Sequence, residues 1–156
     1  MSDPNLSELY QEIILDHAKR PLNRGPLEGA TITVPAENPT CGDEVTLQLR
    51  VAGGRIEEAR FTGQGCAICM ASASMMTRAV KGKPCEEAGA LFQKVHDGIQ
   101  GTGEMPKGEI GALSGVKEFP QRVKCALLAW EALREALGIR KGGAPRTVTT
   151  EDHDLT

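Results

Sequence analysis

Residues 45–61 have the sequence VTLQLRVAGGRIEEARF, and this stretch indicates the fold more clearly than any other part of the chain. In its first half, apolar side chains alternate with polar ones, the apolar set being Val45, Leu47, Leu49 and Val51. A period of two is typical of a strand with one buried face. Gly53 and Gly54 provide a tight turn, and residues 56–61 return as the partner strand. The stretch therefore predicts an antiparallel hairpin that is covered on one side only.

The flanking sequence adds one more strand and several helices. Ala30, Ile32 and Val34 alternate with threonines and predict a strand ahead of the hairpin. Helical spacing predicts helices, and glycine and proline residues mark their ends. The predicted helices cover residues 3–20, 66–80, 84–100 and 120–138, with a short helix or turn at 110–116. We therefore expect an α+β fold, in which a three-stranded antiparallel sheet has its helices packed on one face.

Length and composition predict the domain organisation. The chain has 156 residues, which is enough for one domain of ordinary size. We assign residues 1–138 to a single domain. Residues 139–156 contain glycine, proline, threonine and acidic residues without an apolar period, and we expect them to form a flexible C-terminal tail.

Composition also excludes several functional classes. Aromatic residues make up 3% of the chain and the net charge is -3, which provides neither a stacking surface nor a basic surface for nucleic acid. No apolar run approaches the length that spans a bilayer, and the N-terminus lacks the basic and apolar regions of a signal peptide. We therefore expect a cytoplasmic protein with neither a nucleic-acid partner nor a membrane partner.

The five cysteines are the residues at which chemistry is expected. Their odd number and the expected reducing compartment argue against disulfides and favour metal binding or thiol chemistry. Cys41 lies in a turn-forming stretch, with Asp43 two positions further on. Cys66 lies where a glycine-rich turn meets a helix, and Cys125 lies close to cationic side chains. Both environments favour the thiolate.

Three thiolates and one carboxylate form a four-ligand set of the kind that zinc binds. From the residues alone, other interpretations stay open. Each cysteine could be a small buried side chain, or the set could be a purely structural zinc site. Cys66 and Cys69 form a C-x-x-C pair at a helix start, which is the arrangement of dithiol oxidoreductases. Cys85, beside Pro84 and two glutamates, is expected at the surface.

Four stretches resemble, in order, the motifs of the IscU-like iron–sulfur cluster assembly proteins. They are DHAKRPLNRG at 16–25, NPTCGD at 38–43, GQGCAICMASAS at 63–74 and RVKCALLAW at 122–130. Three departures match the SufU branch of that family. Lys124 replaces the histidine that precedes the last cysteine in IscU, residues 117–121 lack the proline-rich chaperone-recognition segment, and residues 98–115 are an extra stretch. The resemblance implies a SufE/IscU-like fold. The missing recognition segment implies that the protein has no Hsp70-type chaperone partner.

The resemblance also implies a site and an activity. The metal ligands would be Cys41, Asp43, Cys66 and Cys125. Arg122 would lie next to them, and Cys69 would lie outside the set. Cys41 would accept sulfane sulfur from a SufS-type cysteine desulfurase, which would make the protein a zinc-dependent sulfurtransferase. The alternative within the family is a non-enzymatic scaffold, in which Cys41, Cys66 and Cys125 hold iron in a [2Fe–2S] cluster that is passed to apo-proteins.

Overall fold

The computed structural model describes residues 4–140, 142 and 147–149. Within these residues the chain forms, in order, α1 (Pro4–Lys19), β1 (Ile32–Asn38), β2 (Asp43–Ala52), β3 (Arg55–Gln64), α2 (Ala67–Val80), α3 (Cys85–Gln100), a 3₁₀ helix (Glu109–Glu118), α4 (Pro120–Arg140) and β4 (Val148–Thr149). None of these helices combines the length and the apolar character that a transbilayer segment needs. The predicted helices all occur, with ends that differ by a few residues.

The predicted hairpin is confirmed. β2 and β3 pair antiparallel, and Gly53 and Gly54 connect them with φ angles of 60° and 75°. Positive φ at both turn positions suits the right-handed twist of paired strands. A register shift adds one residue to β3, so that Ile56, Ala59 and Phe61 all face the core although their spacing is three and then two.

The sheet has four strands and is mixed, in the order β3-β2-β1-β4, so the prediction of a three-stranded antiparallel sheet is wrong on both points. β4 pairs parallel with β1, with Ala36 opposite Val148 and Glu37 opposite Thr149. A strand of two residues is too short to show a period of two in the sequence. It depends on tertiary contacts, which leave Val148 only 4% exposed.

The end of α4 also differs from the prediction. The helix continues past Gly138 to Arg140, two residues beyond its predicted end. Packing of Ile139 against the core offsets the cost of a glycine within a helix, which is about 1 kcal/mol. Of the predicted tail, residues 139–140, 142 and 147–149 are described, and the rest lies outside the described residues. The assignment of residues 1–138 to a single domain stays a prediction.

Helices cover one face of the sheet, as predicted, with α4 on β1 and β2 and α2 on β3. Trp130 in α4 is fully buried, and its Nε1–H donates to Ser72 Oγ in α2. The Ser72 hydroxyl in turn donates to the carbonyl oxygen of Ala126 at 2.6 Å. These bonds hold α2 against α4, and they therefore fix the position of Cys66 relative to Cys125, since each cysteine belongs to one of these helices.

Candidate metal centre

The turn between β1 and β2 places Cys41 and Asp43. Asn38 and Asp43 form the last pair of the β1–β2 ladder, and the Cys41 N–H donates to the carbonyl oxygen of Asn38 at 3.2 Å. Gly42 has a φ of 73°, a left-handed conformation that favours glycine. This turn brings an exposed thiol, Cys41, and a buried carboxylate, Asp43, to one end of the sheet.

A glycine-rich connection places Cys66 at the start of α2. A Cβ atom on Gly65 would lie 2.6 Å from Asp43 Oδ1, so only glycine allows this close approach. Cys66 is the N-cap residue of α2, and its N–H donates to Asp43 Oδ1 at 2.9 Å. The Cys69 N–H donates to Cys66 Sγ at 3.4 Å. Because these backbone donors lie at a helix N-terminus, they stabilise negative charge on the carboxylate and on the sulfur.

α4 brings Cys125 to the same place. Its Sγ, the Cys41 Sγ and one carboxylate oxygen of Asp43 all lie within 4.8 Å of one another. Cys125 and Asp43 are buried, and Cys41 forms the exposed side of this group. Within the described part of the chain, this group does not include Cys66. The Cys66 sulfur is, however, hydrogen-bonded to Cys125. Three of the four predicted ligands therefore converge, and the fourth adjoins Cys125.

The spacing of these donor atoms fits a zinc ion. Tetrahedral zinc with bonds of about 2.0–2.3 Å has neighbouring ligand atoms about 3.3–3.8 Å apart. Donor atoms that already lie within 4.8 Å of one another need only small movements to reach that spacing. Thiolate sulfur and carboxylate oxygen are donors that zinc accepts, and the same thiolates suit iron. The assignment of all four ligands stays a prediction.

The pKa values of Cys66 and Cys125 shift in opposite directions. The hydrogen bond from Cys125 is the main reason that the pKa of Cys66 falls to about 6. The same hydrogen bond, together with burial, raises the pKa of Cys125. The Cys66 sulfur is therefore the more easily ionised of the two. A divalent cation that binds both sulfurs would displace their protons.

Arg122 and Cys69 lie beside the sulfurs and differ in accessibility. The negative charge of Cys66, followed by a hydrogen bond to Cys125, raises the pKa of the exposed Arg122 guanidinium. Burial raises the pKa of the Cys69 thiol, which is 0% exposed. A neutral and inaccessible thiol is a poor nucleophile, and this argues against dithiol exchange between Cys66 and Cys69.

Cys85 corrects one expectation from the sequence. It was expected at the surface because its neighbours are proline and glutamates, but it is only 3% exposed and belongs to the hydrophobic core. It is the first residue of α3, and the two glutamates that follow it occupy the outer side of that turn. Here a free cysteine behaves as a small apolar side chain.

Asn38 is the site residue that the sequence analysis missed. Its side chain is fully buried, and its Nδ2 donates to Asp43 Oδ2 at 3.1 Å and to Cys125 Sγ at 3.5 Å. The only sequence signal is its place as the first residue of the stretch NPTCGD. Strand pairing, which places it directly opposite Asp43, is what identifies its role.

Comparison with known proteins agrees with the resemblance described from the motifs. The model of the NifU-like N-terminal domain family matches residues 9–141. The zinc-dependent sulfurtransferase SufU of Bacillus subtilis is 45% identical over 142 residues, which are 89% of this chain and 96% of the relative. The iron–sulfur cluster assembly scaffold protein IscU of Streptococcus pyogenes serotype M1 is 44% identical over 140 residues, which are 88% and 87% of the two chains.

A solved structure shows similarity to the same group of proteins. The crystal structure of FiSufU, assigned to iron–sulfur cluster assembly in the SUF system of Fervidobacterium islandicum AW-1, superimposes with a TM-score of 0.77 at 35% identity. The match covers 86% of this chain and 99% of that protein. On the family match and on these relatives, the chain belongs to the family of NifU-like N-terminal domains.

Proposed function

We propose that this protein accepts sulfane sulfur on Cys41 from a SufS-type cysteine desulfurase, with zinc held by Cys41, Asp43, Cys66 and Cys125. One observation carries the proposal: donor atoms of Cys41, Asp43 and Cys125, from separate elements, lie within 4.8 Å of one another. A relative with 45% identity is named a zinc-dependent sulfurtransferase, which supports the same activity here. The five free thiols support a reducing, cytoplasmic location.

The ligand set suits a sulfur acceptor because an unprotected thiolate is easily oxidised. When bound, zinc keeps its sulfur ligands deprotonated and shielded. Of the sulfurs in the converging group, only that of Cys41 is exposed, since Cys125 is buried. Gly42, with its left-handed φ, and the surrounding turn give Cys41 a backbone that can move more readily than a helix. Cys41 is therefore the sulfur that a partner can reach.

The transfer is a thiol–persulfide exchange that needs no added oxidant or reductant. The Cys41 thiolate attacks the outer sulfur of the persulfide on the desulfurase, and a new sulfur–sulfur bond forms on Cys41. The old sulfur–sulfur bond breaks, and its electron pair leaves with the cysteine of the desulfurase as a thiolate. The proton of the persulfide stays on the transferred sulfur.

Arg122 supports this exchange electrostatically. Four anionic ligands around a divalent cation leave a net charge of about -2, which would oppose the negative charge that develops on the departing thiolate of the desulfurase. The Arg122 guanidinium interacts with Cys66 and hydrogen-bonds to Cys125, and it is exposed at the surface. It offsets part of the ligand charge on the side from which a partner approaches.

A groove beside Arg122 fits the approach of the desulfurase. A cavity of about 790 Å³ lies between α1, α2, the 3₁₀ helix and the start of α4, and its lining includes Ile14, Ile68, Phe119 and Arg122. Phe119 is 59% exposed and adds a large apolar surface to this groove. Because Arg122 forms both a wall of the groove and a contact of the ligand sulfurs, a partner seated here would reach the metal centre.

The second candidate function is that of a scaffold for a [2Fe–2S] cluster. The observation that favours it is the relative of 44% identity that is named a cluster assembly scaffold. Cys41, Cys66 and Cys125 would hold the iron, and the cluster would pass to apo-proteins. Anaerobic reconstitution with iron and sulfide, followed by transfer to an apo-ferredoxin, tests this function directly.

A structural zinc site and a dithiol redox site receive less support. Structural zinc is usually bound by four nitrogen or sulfur ligands in a closed site, whereas this group includes a carboxylate and an exposed cysteine. A dithiol site would need an accessible Cys69, which is 0% exposed.

Three measurements test the sulfur-transfer proposal. Metal analysis of the purified protein should find about one zinc per chain. Cys41→Ala should reduce the turnover of the partner desulfurase to the level of the desulfurase alone and should remove the persulfide that mass spectrometry detects on the wild-type protein. The matched variant Cys69→Ala should keep both properties. If Cys69→Ala loses activity and Cys41→Ala keeps it, the dithiol interpretation is correct and the proposal is wrong.

A further inference from the structure

Asn38 has an unusual place beside the metal centre. It is the last residue of β1 and is opposite Asp43, the first residue of β2. Its side chain is 0% exposed, so water does not compete for its hydrogen bonds. A buried polar side chain needs partners, because an amide without them costs free energy in the interior.

The partners of the Asn38 amide are two of the proposed ligands. Nδ2 lies 3.1 Å from Asp43 Oδ2 and 3.5 Å from Cys125 Sγ. A side-chain amide nitrogen carries two hydrogens, so it can donate to both acceptors at once. Hydrogen bonds to ionised acceptors are stronger than bonds between neutral groups. One neutral side chain therefore connects the carboxylate of β2 with the sulfur of α4.

We infer that Asn38 is a positioning residue that preforms the metal centre by holding the Asp43 carboxylate and the Cys125 sulfur at the spacing of metal ligands. The inference rests on the proposed function only in requiring that this centre binds a metal ion. The amide is neutral, so it orients the carboxylate and the sulfur without adding charge to the centre. The Cys66 N–H fixes the other oxygen of the same carboxylate, so both Asp43 oxygens have a fixed direction.

The hydrogen bonds of Asn38 also distinguish Cys125 from Cys41. An N–H donor to a metal-bound sulfur fixes the orientation of that ligand and lowers its nucleophilicity. Cys125 receives such a donor and is buried, whereas Cys41 is exposed in a glycine-containing turn. Asn38 therefore helps to make Cys41 the ligand that is released.

The test compares two variants of the full-length protein that each replace a buried polar side chain by an apolar one of similar shape. Asn38→Leu removes the two donors at the centre. Thr77→Val removes hydrogen bonds to Asn23 and Ser74 near the other end of α2, where none of the proposed ligands lies. Zinc affinity is measured by competition with a chromophoric chelator, and the thermal midpoint is measured for the metal-free proteins. The absorption of the cobalt-substituted proteins reports the ligand geometry.

We expect Asn38→Leu to bind zinc about 10–100-fold more weakly than the wild type, with weaker cobalt bands of altered position. Thr77→Val should bind zinc within about twofold of the wild type, because distant sites do not couple, although both variants melt at a lower temperature. Asn38→Ser keeps one donor hydrogen, and its zinc affinity should lie between those of the wild type and Asn38→Leu. It also serves as the test if the leucine variant does not fold.

The inference is overturned if Asn38→Leu and Asn38→Ser bind zinc as tightly as the wild type, or if Thr77→Val loses the same affinity. In either case the proposed function still stands, provided that the wild type binds zinc and that Cys41→Ala weakens this binding. A wild-type protein that binds no zinc, in contrast, would contradict the proposed function itself.

Discussion

At the scale of single residues, the five cysteines have the same chemistry and different surroundings. Cys41 is exposed, Cys66 is half-buried at a helix N-terminus, and Cys69, Cys85 and Cys125 are buried. Burial disfavours the thiolate of Cys69, whereas the hydrogen bond from Cys125 favours the thiolate of Cys66. The surroundings, rather than the residue type, therefore make these sulfurs differ in accessibility and in how easily they ionise.

Gly65 gives a prediction at this scale. In Gly65→Ala the new Cβ would lie 2.6 Å from Asp43 Oδ1, so the carboxylate must move away from the Cys66 N–H. Loss of this hydrogen bond to a carboxylate should lower the free energy of unfolding by about 1–3 kcal/mol and weaken zinc binding. Urea denaturation of the metal-free protein measures the first effect.

The control for Gly65→Ala is Gly115→Ala, because a Cβ on Gly115 meets no atom within 4 Å. Gly115→Ala should leave zinc affinity unchanged. Equal zinc affinities for both variants and the wild type would mean that the position of Asp43 does not depend on Gly65.

At the scale of elements, α4 shows where local sequence and tertiary packing disagree. The sequence indicates an end at Gly138, yet the helix includes this glycine and continues to Arg140. Gly138 is exposed, and a Cβ there would meet no atom within 4 Å. Gly138→Ala should therefore raise the free energy of unfolding by about 0.5–1 kcal/mol, because alanine loses less conformational freedom in a helix. The midpoint of urea unfolding measures the change.

Gly82→Ala is the control for Gly138→Ala, and we expect it to change the free energy of unfolding in the opposite direction. A Cβ at Gly82 also meets no atom within 4 Å, but its φ is 81°. Since alanine disfavours this left-handed conformation, Gly82→Ala should lower the free energy of unfolding by about 1 kcal/mol. If both variants changed the free energy of unfolding in the same direction, backbone conformation would not determine the effect of alanine at Gly138 and Gly82.

At the scale of the whole molecule, Arg122 links the candidate metal centre to the groove beside it. Phe119 lines the same groove and exposes more than half of its surface there. Phe119→Glu should weaken binding of the desulfurase by about tenfold or more, because a large aromatic side chain at an interface often contributes over 1 kcal/mol. Isothermal titration calorimetry with the purified desulfurase measures the affinity.

Leu15→Glu is the matched control, since Leu15 is 50% exposed on α1 and is not part of the groove lining. It should bind the desulfurase as the wild type does, and zinc content should be unchanged in both variants. A desulfurase affinity that falls only in Leu15→Glu would place the interface on another face of α1.

The sequence by itself determined the hairpin, the four helices, the buried faces of β1 and β2 and the cysteine motifs. These features depend on local periodicity, turn chemistry and residue type, which neighbouring residues in the chain specify. Only the tertiary structure decided that Cys41, Asp43 and Cys125 converge, that Asn38 joins two of them, and that Val148 adds a fourth strand. The reason is physical: Cys125 and Val148 lie far along the chain from β1 and β2, and their distances to these strands follow from how helices and sheet pack rather than from any local pattern.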